Sequence, residues 1–226
     1  MEVAKCIKGL INFAAKKQSI EKLKKPFNSL NKDFPYIINK EGQAIYFGRI
    51  ISEEQINVFY EELINKIDWK NEVVVMFGKE ITTKRKVAFY SEPNIEYRYS
   101  QRTKKGLTWI PLLIQIKSIV ESYTQAQYNA CLLNLYHNGN EAMGWHADNE
   151  VEIIPNSSIA SLSLGAARKF SFKNKTTKET NSLLLENGSL LEMKGALQNH
   201  WLHSLPKSSK IMMPRINLTF RQMTTQ

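Results

Sequence analysis

From residue 129 onward, apolar and polar residues alternate in short segments cut by Gly, Asn and Pro: 129–136, 144–148, 159–164, 168–173, 182–185, 189–193, 200–204 and 215–222. Period-two alternation in many short, evenly spaced runs predicts an all-β sandwich or barrel for this half of the chain. Two helices are expected before it. Ser52-Glu53-Glu54-Gln55 reads as a capping box, with a helix running to about Ile67, and apolar residues at 110, 113, 116, 120 and 123 have helical spacing. Both should pack against one sheet. Ile45–Ile51 and Val73–Phe77 read as further strands.

Some of these strands carry polar groups on a face that should be buried. In the last one, Ile216, Leu218 and Phe220 point one way and Arg215, Asn217, Thr219 and Arg221 the other. A solvated face usually mixes acids with bases, and this one has no acid. Two arginines without acids on one strand face suggest a fixed anion. His146 and Asp148 share a face two residues apart, about 7 Å along the strand, and could reach one ion with His203 from a neighbouring strand. Two histidines and a carboxylate form the facial triad that leaves open positions on non-haem Fe(II). The same residues could hold Zn²⁺ or Mn²⁺, or merely pack. His137 lies in a turn and reads as a surface residue, and His200 is the competing histidine near His203.

Composition narrows the classes. Cys6 and Cys131 are the only cysteines, which excludes a disulfide scaffold, a Cys-rich zinc module and an Fe–S cluster. No apolar run is long enough for a transmembrane helix, and the mixed-charge N-terminus does not read as a secretory signal. The formal charge of +10 suits a polyanionic partner. Residues 1–37 read as a basic extension and 38–226 as the folded domain. Within 79–105, Lys79, Lys84, Arg85, Lys86, Arg98, Arg102, Lys104 and Lys105 face only Glu80, Glu92 and Glu96, interleaved with Phe89, Tyr90, Tyr97 and Tyr99. Basic groups neutralise phosphates and aromatics stack on bases. The bland alternative is a solvated basic hairpin with core aromatics. Arg168, Lys169, Lys173, Lys175 and Lys178 form a second basic run, expected on an exposed hairpin.

The run Asn134-x-Tyr136, His146-x-Asp148, Gly188-Ser189-Leu190-Leu191, His200-Trp201-x-His203-Ser204-Leu205-Pro206 and Pro214-Arg215 through Arg221 resembles the AlkB family of Fe(II)/2-oxoglutarate-dependent dioxygenases. These enzymes oxidise N-alkyl groups on nucleic acid bases. Phe77-Gly78-Lys79 and Gly165-Ala166-x-Arg168-x-Phe170 are similar to the branch that repairs double-stranded DNA. The resemblance implies a double-stranded β-helix, or jelly-roll, with a nucleotide-recognition lid at 77–108. It implies Fe(II) on His146, Asp148 and His203, with O₂ as oxidant. It implies 2-oxoglutarate beside Leu132, Asn134, Tyr136, Arg215, Asn217, Thr219 and Arg221. Substrate contacts would come from Phe77, Gly78, Lys79, Arg85, Tyr97, Tyr99, Asn149, Glu150 and Arg168, with Phe77 filling the gap left by a flipped base.

The activity so implied is demethylation of 1-methyladenine and 3-methylcytosine in DNA by a monomer, with release of succinate and formaldehyde. The compartment would be intracellular, cytoplasmic in a bacterium and nuclear in a eukaryote. The alternatives are the same chemistry on RNA, or a basic nucleic-acid-binding jelly-roll without activity. Two departures from the family stand out. Asn149 occupies a position that is acidic in close relatives, and Lys84 one that is often proline.

Overall fold

The computed structural model of the chain describes residues 34–76, 79–99 and 102–225, with side chains described at all of these except 74–76, 79, 96–99 and 102–104. In chain order the elements are β1 (Tyr36–Ile38), β2 (Gln43–Arg49), α1 (Glu53–Lys66), β3 (Lys70–Met76), β4 (Lys79–Ser91), β5 (Glu96–Tyr99), β6 (Arg102–Lys105), α2 (Pro111–Thr124), β7 (Ala130–Tyr136), β8 (Met143–His146), β9 (Ile159–Gly165), β10 (Arg168–Asn174), β11 (Thr180–Leu185), β12 (Ser189–Lys194), α3 (Leu197–His200), β13 (Trp201–Leu205) and β14 (Arg215–Arg221). Most of the extension expected at 1–37 lies outside the described residues. Tyr36, near the end of that stretch, pairs with Ile45 of β2.

Eight strands form one sheet in the order β1-β2-β12-β9-β14-β7-β4-β3, and four form a second, β11-β10-β13-β8. Neighbouring strands within both sheets are antiparallel. This two-sheet architecture is the jelly-roll that the alternating segments call for. The strand expectations in the C-terminal half agree with the structure to within about two residues, the usual uncertainty of element ends.

The large sheet has two apolar environments. On one face, Ile216, Leu218 and Phe220 of β14 and Leu133 of β7 pack in one cluster with Ile56, Phe59 and Leu63 of α1 and Leu113, Ile116 and Val120 of α2. Fully burying each such side chain contributes about 1.5–3 kcal/mol. The opposite face carries Leu132 and Tyr136, which cluster with Phe170 and Phe172 of the smaller sheet. Every residue of β14 is buried, so its polar face looks into the molecule and not into solvent.

Helix α1 starts where the capping box predicts. Ser52 Oγ accepts from Gln55 N at 3.2 Å, and Ser52 N donates to Gln55 Oε1 at 3.1 Å. Ser52→Ala should cost about 1 kcal/mol. In a domain of this size that lowers Tm by roughly 2–4 °C, which differential scanning calorimetry can read.

The 13-residue β4 is not evident as a strand in sequence. Its first part, Lys79 to Thr82, pairs with β3 at the sheet edge and has no apolar alternation. Its second half, Val87 to Tyr90, is buried and pairs with β7. Gly165 ends β9 opposite Arg215 with φ +89°, and a Cβ there would lie 2.5 Å from the Pro214 carbonyl. Glycine at this position is what lets the start of β14 sit where it does.

Candidate active site

The polar faces of β7, β9 and β14 meet β8 and β13 of the smaller sheet around one cavity. The pairing of β13 with the edge strand β8 explains the metal-ligand spacing. His203 on β13 lies directly opposite His146 on β8, and Asp148 follows two residues later. The potential ligand atoms of His146, Asp148 and His203 all lie within 4.8 Å of one another. Asp148 Oδ1 is 3.8 Å from His146 Nε2 and 3.9 Å from His203 Nε2.

Surrounding groups orient all three. His146 Nδ1 sits 2.8 Å from the Gly144 carbonyl, so Nδ1–H donates and Nε2 keeps its lone pair for a cation. The His203 ring stacks on Phe170 at 5.4 Å between centroids. Burial, reinforced by His146, pushes its pKa down to about 3, so it is neutral at physiological pH and able to ligate. Burial raises the Asp148 pKa, but Arg221, His203 and His146 together outweigh it and bring the value down to about 2. Arg221 Nη2 donates to Asp148 Oδ2 at 2.7 Å, which leaves Oδ1 toward the two histidines. Asp148 N donates to the Gln198 carboxamide at 2.9 Å, fixing the backbone of the carboxylate.

Beside this cluster lies a cationic cradle. Arg215 is 2 % exposed and has no carboxylate partner among the described residues. Its Nη2 donates to Ser163 Oγ at 2.9 Å and to Asn217 Oδ1 at 2.5 Å. Asn217 passes the chain on to Thr219 at 2.7 Å and accepts from Ser161 at 3.0 Å. Arg215 Nε and Asn134 Oδ1 are buried without a hydrogen-bond partner among the described residues. A buried cation facing only neutral groups is costly unless an anion joins it. Burial lowers the Arg215 pKa to about 10, with Tyr136 opposing, so the charge persists at neutral pH. The donor set fits a divalent metal of the non-haem iron type, and the cradle fits a small dianion.

All seven residues expected around the co-substrate, Leu132, Asn134, Tyr136, Arg215, Asn217, Thr219 and Arg221, line this one cavity with the His-Asp-His cluster. The convergence of two arginines six positions apart, which a straight strand would not give, is thus met. Arg85 lines it too. Its guanidinium pairs with Glu72 and lies 6.0 Å from the Tyr136 ring. Asn149 is exposed, and neither it nor Glu150 is among the lining residues. Phe77 and Gly78 lie outside the described residues, as do the side chains of Lys79, Tyr97 and Tyr99. The lid expected at 77–108 is therefore described only in part.

Arg168 departs from the expectation of an exposed, backbone-contacting residue. It is 1 % exposed, and its guanidinium donates to the carbonyls of Asn138, Gly139, Glu141 and Pro206 at 2.9–3.4 Å. Those bonds staple the loop before β8 to the end of β13. The physical reason is register: the first residue of β10 turns inward behind Tyr136, where its ring lies 5.8 Å away. His137 is exposed and bonded to Glu141, and His200 is exposed on α3, as expected of residues outside the cluster.

Sequence reasoning missed several lining residues. Ser161, and Ser163 beside it, were legible in principle as the small polar face of β9 between Ala160, Leu162 and Leu164. Phe170 and Met193 carry no polar pattern that marks them. Glu72, just before the apolar run that starts at Val73, carried no signal.

A two-sheet β fold with two imidazoles and one carboxylate converging beside an anion cradle defines a non-haem iron oxygenase that uses a keto-acid co-substrate. The chain belongs to the 2OG-Fe(II) oxygenase superfamily, whose family model matches residues 43–221, and within it to the AlkB family. It is 34% identical over 196 residues to the DNA oxidative demethylase ALKBH2 of Homo sapiens, covering 82% of this chain and 75% of that protein. It is 34% identical over 209 residues to the alpha-ketoglutarate-dependent dioxygenase alkB homolog 3 of Mus musculus, covering 83% of this chain and 72% of that one. The fold is similar to the solved structure of OsALKBH1, with a TM-score of 0.58 at 14% identity over 83% of this chain and all of that one. The family's metal, co-substrate and oxidant are Fe(II), 2-oxoglutarate and O₂.

Proposed function

We propose that this chain removes N-alkyl groups from bases in DNA, with 1-methyladenine and 3-methylcytosine as substrates, 2-oxoglutarate going to succinate and the methyl carbon leaving as formaldehyde. One observation carries the reading: the His146, Asp148, His203 cluster shares its cavity with a buried arginine that has no carboxylate partner among the described residues. Similarity to the DNA oxidative demethylases supplies the substrate class. The Fe(II) held by this cluster would supply the oxidation of the alkyl carbon.

The protein's residues do the rest. His146 and His203 offer Nε2, and Asp148 offers Oδ1. Arg221 holds Asp148 ionised and turned. Arg215, carried by Ser163 and Asn217, takes the distal carboxylate of the co-substrate, with Tyr136 alongside. Asn134, Leu132, Asn217 and Thr219 shape that pocket. Asn149 and Glu150, next to the metal carboxylate in sequence, would meet the base at the cavity mouth. The stacked Phe170 and the apolar Leu132 and Met193 limit water around the reacting carbon. Formaldehyde release from 1-methyladenine oligonucleotides with Fe(II) and 2-oxoglutarate tests the activity.

Duplex DNA is the finer reading. It rests on the resemblance of Phe77-Gly78-Lys79 to the duplex-repairing branch. A base inside a duplex must be flipped to reach the metal, and Phe77 would fill the vacated stack. Phe77→Ala should then lose about 5- to 150-fold on duplex substrate, the worth of one base stack. Single-stranded substrate should be demethylated nearly as before. Equal losses on both, with a lowered Tm, would assign Phe77 to the core.

The protein would work as a monomer. Single-stranded RNA is the alternative substrate, and faster turnover on it than on duplex DNA would favour that. No helix among the described residues is long and apolar enough to cross a membrane.

A further inference from the structure

The β3–β4 hairpin contains a register shift that the activity described above does not use. Asn71 pairs with Lys86 and Val73 with Thr82, so Glu72 faces a bulge of three residues, 83 to 85. Bulges re-aim side chains, and they occur near active sites. This one is tied by Asn71 Nδ2 donating to the Thr83 carbonyl at 3.0 Å and Thr83 Oγ1 donating to the Arg85 carbonyl at 2.8 Å. Its result is that Glu72, 5 % exposed, and Arg85, 6 % exposed, form an ion pair in the wall of the catalytic cavity. Arg85 also reaches Met143 Sδ at 3.5 Å, on the same strand as His146.

A buried ion pair contributes little to stability compared with an apolar pair of the same volume. Its effect on the charge of the cavity is larger. Arg85, Arg215 and Arg221 face Glu72 and Asp148, which leaves one formal positive charge in surplus among the described lining residues. Bound Fe(II) and the 2-oxoglutarate dianion cancel each other and leave that surplus unchanged. 1-Methyladenine and 3-methylcytosine are themselves cations at neutral pH, whereas 3-methylthymine is neutral. Without the Glu72 carboxylate a cationic base would meet a surplus of two.

We propose that Glu72 is a specificity-determining residue: by neutralising Arg85 in the cavity wall it lowers the repulsion that a positively charged alkylated base meets, and so shifts selectivity toward charged bases relative to neutral ones. The proposal rests on the demethylase reading and deepens it. A unit charge several ångströms away in a partly buried site acts with an effective dielectric constant of about 20, enough to change a rate or affinity by about ten-fold or more.

The test compares oligonucleotides carrying 3-methylcytosine and 3-methylthymine, both for formaldehyde release and for anaerobic binding with Fe(II) and 2-oxoglutarate present. In Glu72→Gln the preference for 3-methylcytosine over 3-methylthymine should fall about ten-fold or more. The KM for 2-oxoglutarate should not rise, since the cavity has become more positive. Glu72→Asp should keep most of the preference. Glu72→Gln combined with Arg85→Gln restores the original surplus and should restore the preference, whatever the absolute rates. Equal losses on both lesions with a lowered Tm would make the pair merely structural and overturn the proposal. So would an altered preference that persists in the double variant. A wild-type protein with no activity on 3-methylcytosine would sink the demethylase reading itself, whereas an active wild type with an unchanged preference in Glu72→Gln sinks only the role given to Glu72.

Discussion

His203→Ala should leave a folded protein that binds Fe(II) at least about a hundred-fold more weakly and releases no succinate above background. Groups that merely orient a ligand are already worth 10- to 100-fold in metal affinity, and His203 is one of three ligands. The fold should survive, because Asp148 keeps its bond to Arg221, and β13 keeps its pairing to β10 and β8 through the backbone. The variant loses the stack on Phe170, so a modest fall in Tm is expected. His200→Ala is the control. His200 is exposed on α3 and outside the cluster, so iron binding and turnover should match wild type. Metal titration by isothermal calorimetry on both variants separates the two histidines. Loss of iron in His200→Ala with retention in His203→Ala would reverse the assignment.

Arg215→Ala should raise the KM for 2-oxoglutarate by about 10- to 150-fold, the worth of a charge-assisted contact of roughly 1.5–3 kcal/mol. Arg215→Lys should recover only part of it, because an ammonium cannot reproduce the fork. The stability effect should be unusual for a fully buried residue. The wild-type guanidinium faces Ser163, Asn217 and the Tyr136 ring, with its Nε unpartnered, so without co-substrate it is a buried charge poorly offset. Removing it should lower the Tm of the co-substrate-free protein little or even raise it, while abolishing the rise in Tm that 2-oxoglutarate gives to wild type. An unchanged 2-oxoglutarate titration in Arg215→Ala would place the co-substrate elsewhere.

Much of the fold and of the metal site is legible in the sequence because both depend on period two. Alternation assigns Ile216, Leu218 and Phe220 to one face of β14 and Arg215, Asn217, Thr219 and Arg221 to the other whatever the tertiary structure. The same rule puts His146 and Asp148 on one side. Alternation does not say what covers each face. That β14 is buried on both sides depends on the two helices and the smaller sheet, which are long-range facts.

Glu72 shows the other limit. Its neighbours Val73 and Val75 suggest an ordinary apolar strand, and only the bulge of residues 83–85 opposite it turns Glu72 and Arg85 toward the cavity. A bulge depends on how two strands register, and one strand's sequence does not contain it. Arg168 was misplaced for a similar reason. A basic run reads as solvated, but the four carbonyls that its guanidinium binds come from two loops distant in sequence.

The central claim is that one cavity couples 2-oxoglutarate turnover to dealkylation of a DNA base. The most direct test is a mass balance on a duplex oligonucleotide carrying one 1-methyladenine, with restored adenine, formaldehyde and succinate quantified in the same reaction. The account predicts one formaldehyde for each adenine restored, succinate in at least equal amount, and loss of all three products when Fe(II) or 2-oxoglutarate is withheld. Succinate without restored adenine on any alkylated nucleic acid, or restoration that proceeds without 2-oxoglutarate, would contradict it.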